Sequence, residues 1–492
     1  MSDAMTSGYR IDGGLIDRST ELNFRFDGKS LEGHAGDTLA SALLANGVRL
    51  MGRSFKYHRP RGVLSAGAEE PNAIVALREG AFTEPNTRAT TAELFDGLVA
   101  RSQNRWPALG FDVMAVNDVM SNFLTAGFYY KTFMWPAKFW EKIYEPIIRH
   151  AAGLGALSGM SDPDCYDKGF LHCDLLIIGA GPAGLAAAMT AGRSGARVII
   201  ADEDFLPGGR LNAETIAIGD AAGATWAAQM AGELASMPHV RLMTRTTVIG
   251  AFDHGIYGAV ERVTDHLASA PEGKARQVLW RIYSKRAILT TGSLERPIAF
   301  ANNDRPGIMQ AGALRAYANR WAVTAASDVA VFTNNDDGHR TASDLATKGV
   351  KIAAIIDTRT DAPEHANVEV FAGACVTDSR GRLGLSKVRV RLSDGSQRWI
   401  KCGALGVSGG WNPNVHLTCH QRGHPVWNET IAAFVPGSVG PAGLSSAGAA
   451  AGMFSTAAAL TSGAAAAVSA LGDIGIKVKA IALPLAEDER DL

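Results

Sequence analysis

The chain has 492 residues, of which 47% are hydrophobic and 20% are charged, and its formal net charge is -1. A chain of this length is expected to form two to four domains of roughly 100 to 200 residues each. The composition is that of an ordinary globular protein. A net charge so close to zero offers no general attraction to nucleic acid, so a nucleic-acid partner is not expected.

The cysteines and the apolar segments indicate a cytoplasmic protein without membrane contact. Five cysteines are scattered along the chain and form no CxxC pair, so reduced thiols are expected rather than a disulfide framework or a zinc site. The N-terminus, "MSDAMTSGYRIDGG", lacks the basic and apolar regions of a signal peptide. No charged residue occurs from Ile431 to Gly472, but Ala, Gly and Ser dominate this stretch, which favours a buried helix over a membrane span.

Residues 1–101 alternate short β-like runs with one helical signal, "DTLASALLANGV", and therefore predict a small α+β unit. Asp37 is the predicted N-cap of this helix, and Gly47 is predicted to close it. The cationic loop "GRSFKYHRPRG", residues 52–62, follows the helix. The sequence leaves two interpretations of this loop open: a solvated or internally paired cluster, and a contact to a phosphate or a partner subunit.

Residues 102–170 are predicted to form a helical, aromatic-rich connector. Trp106, Trp135 and Trp140 fall within it. Aromatic residues at this density either pack on their own chain or are buried by another protein. We expect a mixture of the two.

A dinucleotide-binding pattern begins at Asp174 with "DLLIIGAGPAGLAAA", which is an apolar strand, a glycine-rich turn and a helix of small residues. Gly179 permits the tight turn, Gly181 lets the backbone approach a pyrophosphate, and Gly184 lets the helix lie close to the strand. The helix starts at Pro182 and Ala183 and is expected to direct its unpaired N–H groups at the phosphates.

An acidic tip completes the nucleotide pattern. The second strand, "RVIIA", ends in Asp202 and Glu203, where a carboxylate would bind the adenosine ribose hydroxyls and disfavour a 2′-phosphate. The loop "FLPGGRLN" and the turn "TTGS" follow at positions typical of such a pocket. The predicted cofactor-binding residues are Gly179, Gly181, Pro182, Ala183, Gly184, Asp202, Glu203, Gly209, Arg210, Thr291 and Gly292.

The remaining organisation follows from the order of strands and helices. Residues 171–310 and 411–475 are predicted to form the dinucleotide-binding domain, residues 311–410 a second α/β domain, and residues 476–492 a tail. In the second domain the strand "VAVF" runs into Thr333 to Gly338, "TNNDDG", which lacks the close-approach glycines and presents two carboxylates to any phosphate. One dinucleotide per chain is therefore expected, and the second domain is interpreted as structural or interfacial.

No catalytic residue is predicted, because the chain contains neither an HExxH nor a CxxC motif. The segment "HLTCHQRGH" places His416, Cys419, His420 and His424 near one another in sequence. It has no acidic ligand and adjoins a loop-like "GGWNPN", so a metal site is not expected.

The residues carry a resemblance that covers essentially the whole chain. The order of "DGKSLEGHAGDTLASALLANGV", "GRSFKYHRPRG", "GAEEPNA", "LLIIGAGPAGLAAA", "TTGSLERPIAFANNDRPGIM", "SGGWNPNVHLTCHQRG" and "AGAAAGMFSTAAALTSGAAAAV" resembles the α subunits of heterotetrameric sarcosine oxidases. The resemblance implies an α/β fold with an α+β N-terminal unit. That unit would be β-grasp-like, and a two-domain Rossmann-type fold of the FAD/NAD(P)-binding, disulfide-reductase-like kind would follow it. Relatives with an iron–sulfur cluster hold it on cysteines, and this chain has none before Cys165.

The same resemblance implies cofactors and partners. NAD would occupy the Rossmann site on Gly179, Gly181, Gly184 and the Asp202/Glu203 tip, and FMN would lie at the interface with a partner subunit. FAD would belong to a β-type subunit that oxidises sarcosine or a related secondary N-methyl amine, with further small subunits in the complex. The family's aminomethyltransferase-like, folate-binding half is not expected in this chain.

Three alternatives stay open: a stand-alone NADH-dependent flavin oxidoreductase, a subunit of an opine- or proline-type dehydrogenase, and an assembly scaffold that has lost its cofactor.

Overall fold

The structure is a computed structural model that describes residues 9–124, 127, 135–479 and 482–486. The chain divides into two compact units. The first consists of Met1–Pro163, Pro297–Asn334 and Gly338–Ser408, and the second of Asp164–Arg296, Asn335–Asp337 and Gly409–Leu492. The N-terminal region and most of the predicted second α/β domain thus belong to the same unit.

The N-terminal part of the first unit is a five-stranded sheet in the order β2-β1-β7-β5-β6 with one helix packed on it. Its elements are β1 (Asp17–Phe26), β2 (Lys29–Ala35), α1 (Leu39–Ala45), β3 (Gly52–Arg53), β4 (Pro60–Arg61), β5 (Ile74–Leu77), β6 (Glu84–Arg88) and β7 (Leu98–Ser102). β1 pairs with β2 in the antiparallel and with β7 in the parallel direction. Every residue of α1 is buried. This arrangement confirms the predicted β-grasp-like unit.

The start of α1 differs from the sequence prediction. Thr38, not Asp37, is the N-cap, and it forms a capping box with Ser41. The Asp37 carboxylate instead forms a salt bridge of 2.7 Å with Arg10 and accepts a hydrogen bond from the Ser41 hydroxyl. The side chain that the local pattern predicted as the N-cap therefore pairs with Arg10, which is distant in sequence. At the other end of the helix, Gly47 has a φ of 74°, as a helix-closing residue requires.

The cationic loop is paired within its own unit. Arg59 and Arg61 both form salt bridges with Asp304. The buried Arg53 guanidinium donates to the carbonyl oxygen of Leu109 at 2.6 Å. Of the two interpretations that the sequence left open, these contacts favour the internally paired cluster.

The described part of the connector contains β8 (Pro107–Ala108), β9 (Phe111–Asp112), a 3₁₀ turn (Val113–Ala115) that leads into α2 (Val116–Val119), and a helical stretch. In this stretch a 3₁₀ turn (Ala137–Phe139) and a π-helical segment (Trp140–Tyr144) lead into α3 (Glu145–Ala152). Helical residues are therefore found at 113–119 and 137–152, while the other described residues of the connector before Tyr166 form short strands and loops. The last five predicted connector residues, 166–170, belong to the strand that follows. Trp135 is 84% exposed and Trp106 is 62% exposed. The aromatic run from Phe128 to Tyr144 is a candidate surface for a partner subunit on sequence grounds, and its residues 128–134 lie outside the described part of the chain.

The second unit contains a large sheet in the order β14-β11-β10-β17-β16-β15. Its elements up to residue 295 are β10 (Tyr166–Ile178), α4 (Pro182–Arg193), β11 (Val198–Ala201), β12 (Ala217–Ile218), β13 (Ala221–Ala222), α5 (Gly223–Ser236), β14 (Val240–Met243), β15 (Thr246–Phe252), β16 (Ile256–Arg262), β17 (Gln277–Leu289) and β18 (Ser293–Glu295). β14, β11, β10 and β17 are parallel neighbours, whereas β15 and β16 join in antiparallel pairs. The parallel part confirms the predicted Rossmann-type fold.

The second α/β part of the first unit has a parallel sheet in the order β19-β26-β20-β21-β22 and an antiparallel sheet β23-β24-β25. Its elements are β19 (Ile308–Gln310), α6 (Ala311–Arg320), β20 (Asp328–Thr333), α7 (Asp336–Thr347), β21 (Lys351–Asp357), β22 (Val370–Ala372), β23 (Cys375–Arg380), β24 (Lys387–Arg391), β25 (Gln397–Lys401) and β26 (Ala404–Ser408). Asp336 and Asp337 lie in the first turn of α7. Asp357, at the end of β21, binds His339 and Arg359, each at 2.8 Å.

These acids make a nucleotide site in this sheet unfavourable. Two carboxylates at the start of α7 would repel a phosphate, and the strand-end acid that binds ribose in dinucleotide folds is occupied by side chains of the chain itself. The degenerate character of residues 311–410 stays a prediction, which these contacts support.

After residue 409 the chain returns to the sheet of the second unit. Its last elements are β27 (Trp411–Pro413), β28 (Val426–Asn428), β29 (Ala433–Val435), β30 (Leu444–Ser446) and α8 (Thr456–Gly472). β27 pairs with β18, and β30 pairs with β17. α8 lies directly against α4, because a Cβ added at Gly463 would be 2.1 Å from the carbonyl oxygen of Ala183. Among the described residues, no helix is both long enough and apolar enough to cross a membrane.

Candidate functional site

A cleft of about 500 Å³ opens in the second unit at the carboxyl ends of β10 and β11. This volume lies within the range of small-molecule and cofactor sites, and the place is the one where doubly wound sheets bind ligands. All predicted site residues except Gly184 line the cleft, namely Gly179, Gly181, Pro182, Ala183, Asp202, Glu203, Gly209, Arg210, Thr291 and Gly292.

The three glycines of the turn serve different purposes. Gly179 has a φ of 105°, and a Cβ there would be 2.5 Å from the carbonyl oxygen of Thr290. A Cβ at Gly184 would be 1.8 Å from the carbonyl oxygen of Gly179, so this residue lets α4 lie close to the turn. A Cβ at Gly181 would meet no atom within 4 Å. Gly179 and Gly184 are therefore required by the fold itself, whereas Gly181 leaves open the space through which a ligand approaches the backbone.

A pair of threonines after β17 holds the turn in place. The Thr290 hydroxyl lies 2.9 Å from the carbonyl oxygen of Ile178 and 2.8 Å from that of Gly179. The Thr291 hydroxyl donates to the carbonyl oxygen of Asn414 at 3.1 Å, and the Asn414 N–H donates to that of Gly292 at 3.0 Å. The sequence placed the turn from Thr290 to Gly292 at the pocket, and the structure shows that the Thr290 hydroxyl is the group that contacts the glycine turn.

The two acids at the end of β11, Asp202 and Glu203, have different roles. Asp202 Oδ2 accepts a hydrogen bond of 2.5 Å from the Ala180 N–H, and Oδ1 accepts one of 2.8 Å from the Asp204 N–H. Burial, together with the nearby Asp204 carboxylate, raises the pKa of Asp202 to about 6. Glu203 is exposed and lines the cleft. Asp202 thus ties the end of β11 to the glycine turn, a role the sequence did not predict, and Glu203 is the acid on the open side.

The raised pKa of Asp202 has a testable consequence for stability. Its value of about 6 in the folded chain lies above its ordinary 3.8, so between these pH values the folded state holds the proton more tightly than the unfolded state. The free energy of unfolding should therefore fall as pH rises through this window. Asp202→Asn removes the titrating carboxyl group. We expect the difference in free energy of unfolding, wild type minus variant, to be about 2 kcal/mol smaller at pH 7.5 than at pH 4.5.

Urea denaturation of both proteins at the two pH values measures this difference. The amide of the variant also disturbs one of the two backbone hydrogen bonds, but that cost does not depend on pH. Parallel pH profiles of the free energy of unfolding for the two proteins would contradict the raised pKa of Asp202.

Arg210 lies beside the turn but is bound within the chain. Its Nε donates to Glu214 at 2.9 Å, and its guanidinium also donates to the carbonyl oxygen of Phe454. The neighbouring Gly209 has a φ of 54°, and a Cβ there would be 3.1 Å from the Cα of Gly181. The loop therefore lies directly against the glycine turn, while Glu214 offsets the positive charge that Arg210 would bring to a phosphate.

The far wall of the cleft was not predicted from the sequence. It is formed by the first half of β15, by β27 and by the segment after β27, and its members are Thr246, Thr247, Val248, Ile249, Trp411, Asn414, His416, Leu417 and His420. The Nδ1 atom of His420 accepts a hydrogen bond of 3.2 Å from the Ala251 N–H, which joins the two parts of the wall. The sequence analysis singled out "GGWNPN" and "HLTCHQRGH" but assigned neither segment to the pocket. In the described part of the chain, no three His, Cys, Asp or Glu side chains come together to hold a metal ion.

The geometry as a whole suits a dinucleotide. A helix start, an open glycine turn and an exposed acid lie on one wall, and β15 and the return segment close the other. These residues can bind phosphates through backbone N–H groups and ribose hydroxyls through a carboxylate.

Two family models match parts of the chain. Residues 19–105 match the model described as "2Fe-2S iron-sulfur cluster binding domain", and residues 174–287 match "FAD dependent oxidoreductase". Such clusters are held by cysteine thiolates. The first range contains no cysteine, so its residues do not fit the cluster that the family is named for.

Several known proteins are similar to this chain. A sarcosine oxidase α subunit of Rhizobium meliloti (strain 1021) is 50% identical over 490 residues, which are 99% of this chain and 49% of that protein. The protein of the same name from Corynebacterium sp. (strain P-1) is 38% identical over 94% of this chain and 44% of its own length. An opine oxidase subunit of Agrobacterium tumefaciens (strain Ach5) is 32% identical over 38% of this chain and 37% of its own length. The chain thus spans about half the length of the sarcosine oxidase subunits it matches.

Among solved structures, the L-proline dehydrogenase of P. horikoshii matches with a TM-score of 0.65 and 18% identity, over 96% of this chain and 77% of that one. A likeness at this identity concerns the fold, and it supports a ferredoxin-like N-terminal part followed by a Rossmann-type oxidoreductase fold. Over almost its entire length, the chain is homologous to sarcosine oxidase α subunits.

Proposed function

We propose that this chain is the NAD-binding subunit of a multi-subunit flavoprotein oxidoreductase that oxidises sarcosine or a related secondary N-methyl amine. The observation that carries the proposal is the dinucleotide cleft, with open space at Gly181 and an exposed acid at Glu203. Amine oxidation itself takes place in a partner subunit that bears FAD, and FMN lies between this chain and that subunit. The names of the relatives support the complex and its substrate.

The alternative for the cleft is FAD. The match of residues 174–287 to FAD-dependent oxidoreductases favours it, and the same glycine turn and acid bind the adenosine half of either dinucleotide. The deciding experiment is to denature the purified chain and identify the released cofactors by chromatography and mass spectrometry. One NAD per chain supports the proposal, and stoichiometric FAD released from this chain purified without partners would overturn it.

Glu203 should determine the preference for NAD over NADP. Replacing it by alanine removes a charged acceptor for the ribose hydroxyls, worth roughly 1.5 kcal/mol or more, and with it the repulsion of a 2′-phosphate. We expect Glu203→Ala to weaken NAD binding about tenfold, equivalent to about 1.4 kcal/mol. The difference in affinity between NAD and NADP should become smaller. Isothermal titration with both nucleotides measures this.

Glu272→Ala is the matched control, because Glu272 is exposed in the same unit and does not line the cleft. It should bind both nucleotides like the wild type. If the Glu203 variant retains the full preference for NAD over NADP, the adenosine ribose does not bind at Glu203.

A second candidate function is a subunit of an opine- or proline-type dehydrogenase. The similarity to the Agrobacterium opine oxidase subunit over 191 residues favours it, and it differs from the first proposal only in the amine. Assays of the reconstituted complex with sarcosine, an opine and proline, compared by kcat/KM, separate the two.

A further inference from the structure

The N-terminal domain matches a cluster-binding family but has no cysteines, and other residues occupy the ligand spacing in its loop 64–73. Plant-type ferredoxins hold a [2Fe–2S] cluster on a C-x₄-C-x₂-C run and a more distant fourth cysteine. In this loop the same spacing falls on Ser65, Glu70 and Ala73. All three are buried.

Glu70 fills the centre of this loop. Its side chain accepts four hydrogen bonds from backbone N–H groups: Leu64 and Ser65 donate to Oε2 at 2.8 Å each, and Asn72 and Ala73 donate to Oε1 at 2.7 and 3.1 Å. The Ser65 hydroxyl lies 3.3 Å from Oε2 as well. One carboxylate, in a residue only 1% exposed, therefore satisfies N–H groups from both ends of the loop.

Thr90 approaches the same loop from the segment after β6. Its hydroxyl donates to the carbonyl oxygen of Gly67 at 2.7 Å, and Thr90 is 3% exposed. The neighbouring Ala89 N–H donates to the carbonyl oxygen of Ala73 at 2.9 Å. Thr90 thus stands where a fourth ligand from a distant part of the chain would reach the loop.

We propose that the Glu70 carboxylate takes the place of an iron–sulfur cluster in this domain, as an internal anion that holds the loop in its cluster-binding shape. A cluster with its thiolates is negatively charged and accepts hydrogen bonds from the surrounding protein. Once the cysteines are lost, the inward-facing N–H groups of the loop need another acceptor, because a buried unpaired N–H is costly. Glu70 supplies that acceptor from one of the ligand positions themselves.

The shape of the loop also determines its contacts with the second α/β part of the same unit. The Leu64 carbonyl oxygen accepts from the Gln310 N–H at 2.8 Å, and the Ser65 carbonyl oxygen accepts from the buried Tyr317 hydroxyl at 3.1 Å. Both partners belong to the second α/β part of the same unit. Burial, followed by the nearby Glu70 charge, raises the pKa of Tyr317 well above its usual value, so its hydroxyl stays a donor. The anion therefore positions the residues through which the loop binds β19 and α6.

The first test restores the cluster. The full chain carrying Ser65→Cys, Glu70→Cys, Ala73→Cys and Thr90→Cys is reconstituted anaerobically with iron and sulfide. We expect about two irons per chain, the visible absorption of a [2Fe–2S] centre, and an EPR signal on reduction. The control keeps Glu70 and carries only the other three substitutions, and it should bind no cluster. A four-cysteine variant that folds like the wild type and takes up no iron would overturn the proposal.

The second test does not depend on the four-cysteine variant folding. Glu70→Ala removes an acetate-sized anion and should lower the melting temperature of the full chain by about 5 °C or more. Acetate at high concentration should restore part of this loss, and its neutral counterpart acetamide should not. Glu32→Ala, at an exposed position of the same domain, serves as control and should lose little stability and show no rescue. An unchanged melting temperature for Glu70→Ala, or equal effects of acetate and acetamide on it, would contradict the role of Glu70 as an anion.

Discussion

Gly181→Val should produce a folded chain that no longer retains its dinucleotide. The added Cβ meets no protein atom within 4 Å, so the fold has room for it. The branched side chain then occupies the space in which a pyrophosphate must approach the backbone of the turn. We expect a loss of affinity of at least about 100-fold, equivalent to about 2.7 kcal/mol, with little change in melting temperature. Nucleotide retained after gel filtration, and titration of the emptied protein, measure the effect.

Two further glycines serve as controls for this prediction. Gly232→Val changes an exposed position of α5 that also has no atom within 4 Å of its Cβ and does not line the cleft, so binding should be unchanged. Gly184→Val places the Cβ 1.8 Å from the carbonyl oxygen of Gly179 and should prevent the unit from folding. Undiminished nucleotide in a folded Gly181→Val chain would remove the cleft from consideration as the dinucleotide site.

The isolated chain should show no sarcosine-dependent oxygen consumption. Amine oxidation needs a flavin whose reactive ring faces the substrate, and the protein's task is to position and tune that ring. Under the proposed function this flavin belongs to a partner subunit. We therefore expect activity only when the FAD-bearing subunit is combined with this chain. Oxygen uptake by this chain alone, at the rate of the combined proteins, would overturn the division of roles.

The exposed aromatic part of the connector is the surface on which we expect the partner to bind. Trp135 is 84% exposed, and Trp140 follows in the same segment and is half-buried. Large aromatic residues are enriched at the centres of protein interfaces and carry much of their binding energy. Trp135→Ala with Trp140→Ala should therefore weaken assembly about 100-fold or more. Co-purification and analytical ultracentrifugation measure assembly.

The control for this surface is Trp427→Ala, which removes a 47% exposed tryptophan from the second unit. It should assemble and support activity like the wild type. Full assembly and activity of the double tryptophan variant, with its fold intact, would place the partner on another surface. The cationic loop is a weaker candidate, because Arg53, Arg59 and Arg61 are already paired within their own unit.

Local patterns in the sequence were sufficient for the fold class and for one wall of the cleft. The strand, glycine turn and helix from Asp174 onward, and the acids about 20 residues after the turn, lie within one βαβ unit. Their spacing is set by backbone geometry, so it can be read without knowledge of distant contacts. The prediction that the turn from Thr333 to Gly338 binds no nucleotide rests on a local pattern of the same kind.

Only the tertiary structure decided what depends on residues far apart in the chain. Asp37 is not the N-cap that the sequence predicted, because its carboxylate forms a salt bridge with Arg10. The far wall of the cleft combines β15 with residues more than 160 positions later.

The same distinction applies to the half-buried Asp202 and the buried Glu70. The sequence showed a carboxylate at each position, but the partner of Asp202 in the glycine turn became visible only once the chain was folded. The four N–H donors around Glu70 likewise come together only when both ends of its loop close on it. The sequence by itself determined the elements and the glycine turn, because these follow from local backbone geometry. The role of each buried charge was decided by the fold, because a charge removed from water must be matched by whichever donors the tertiary structure brings to it.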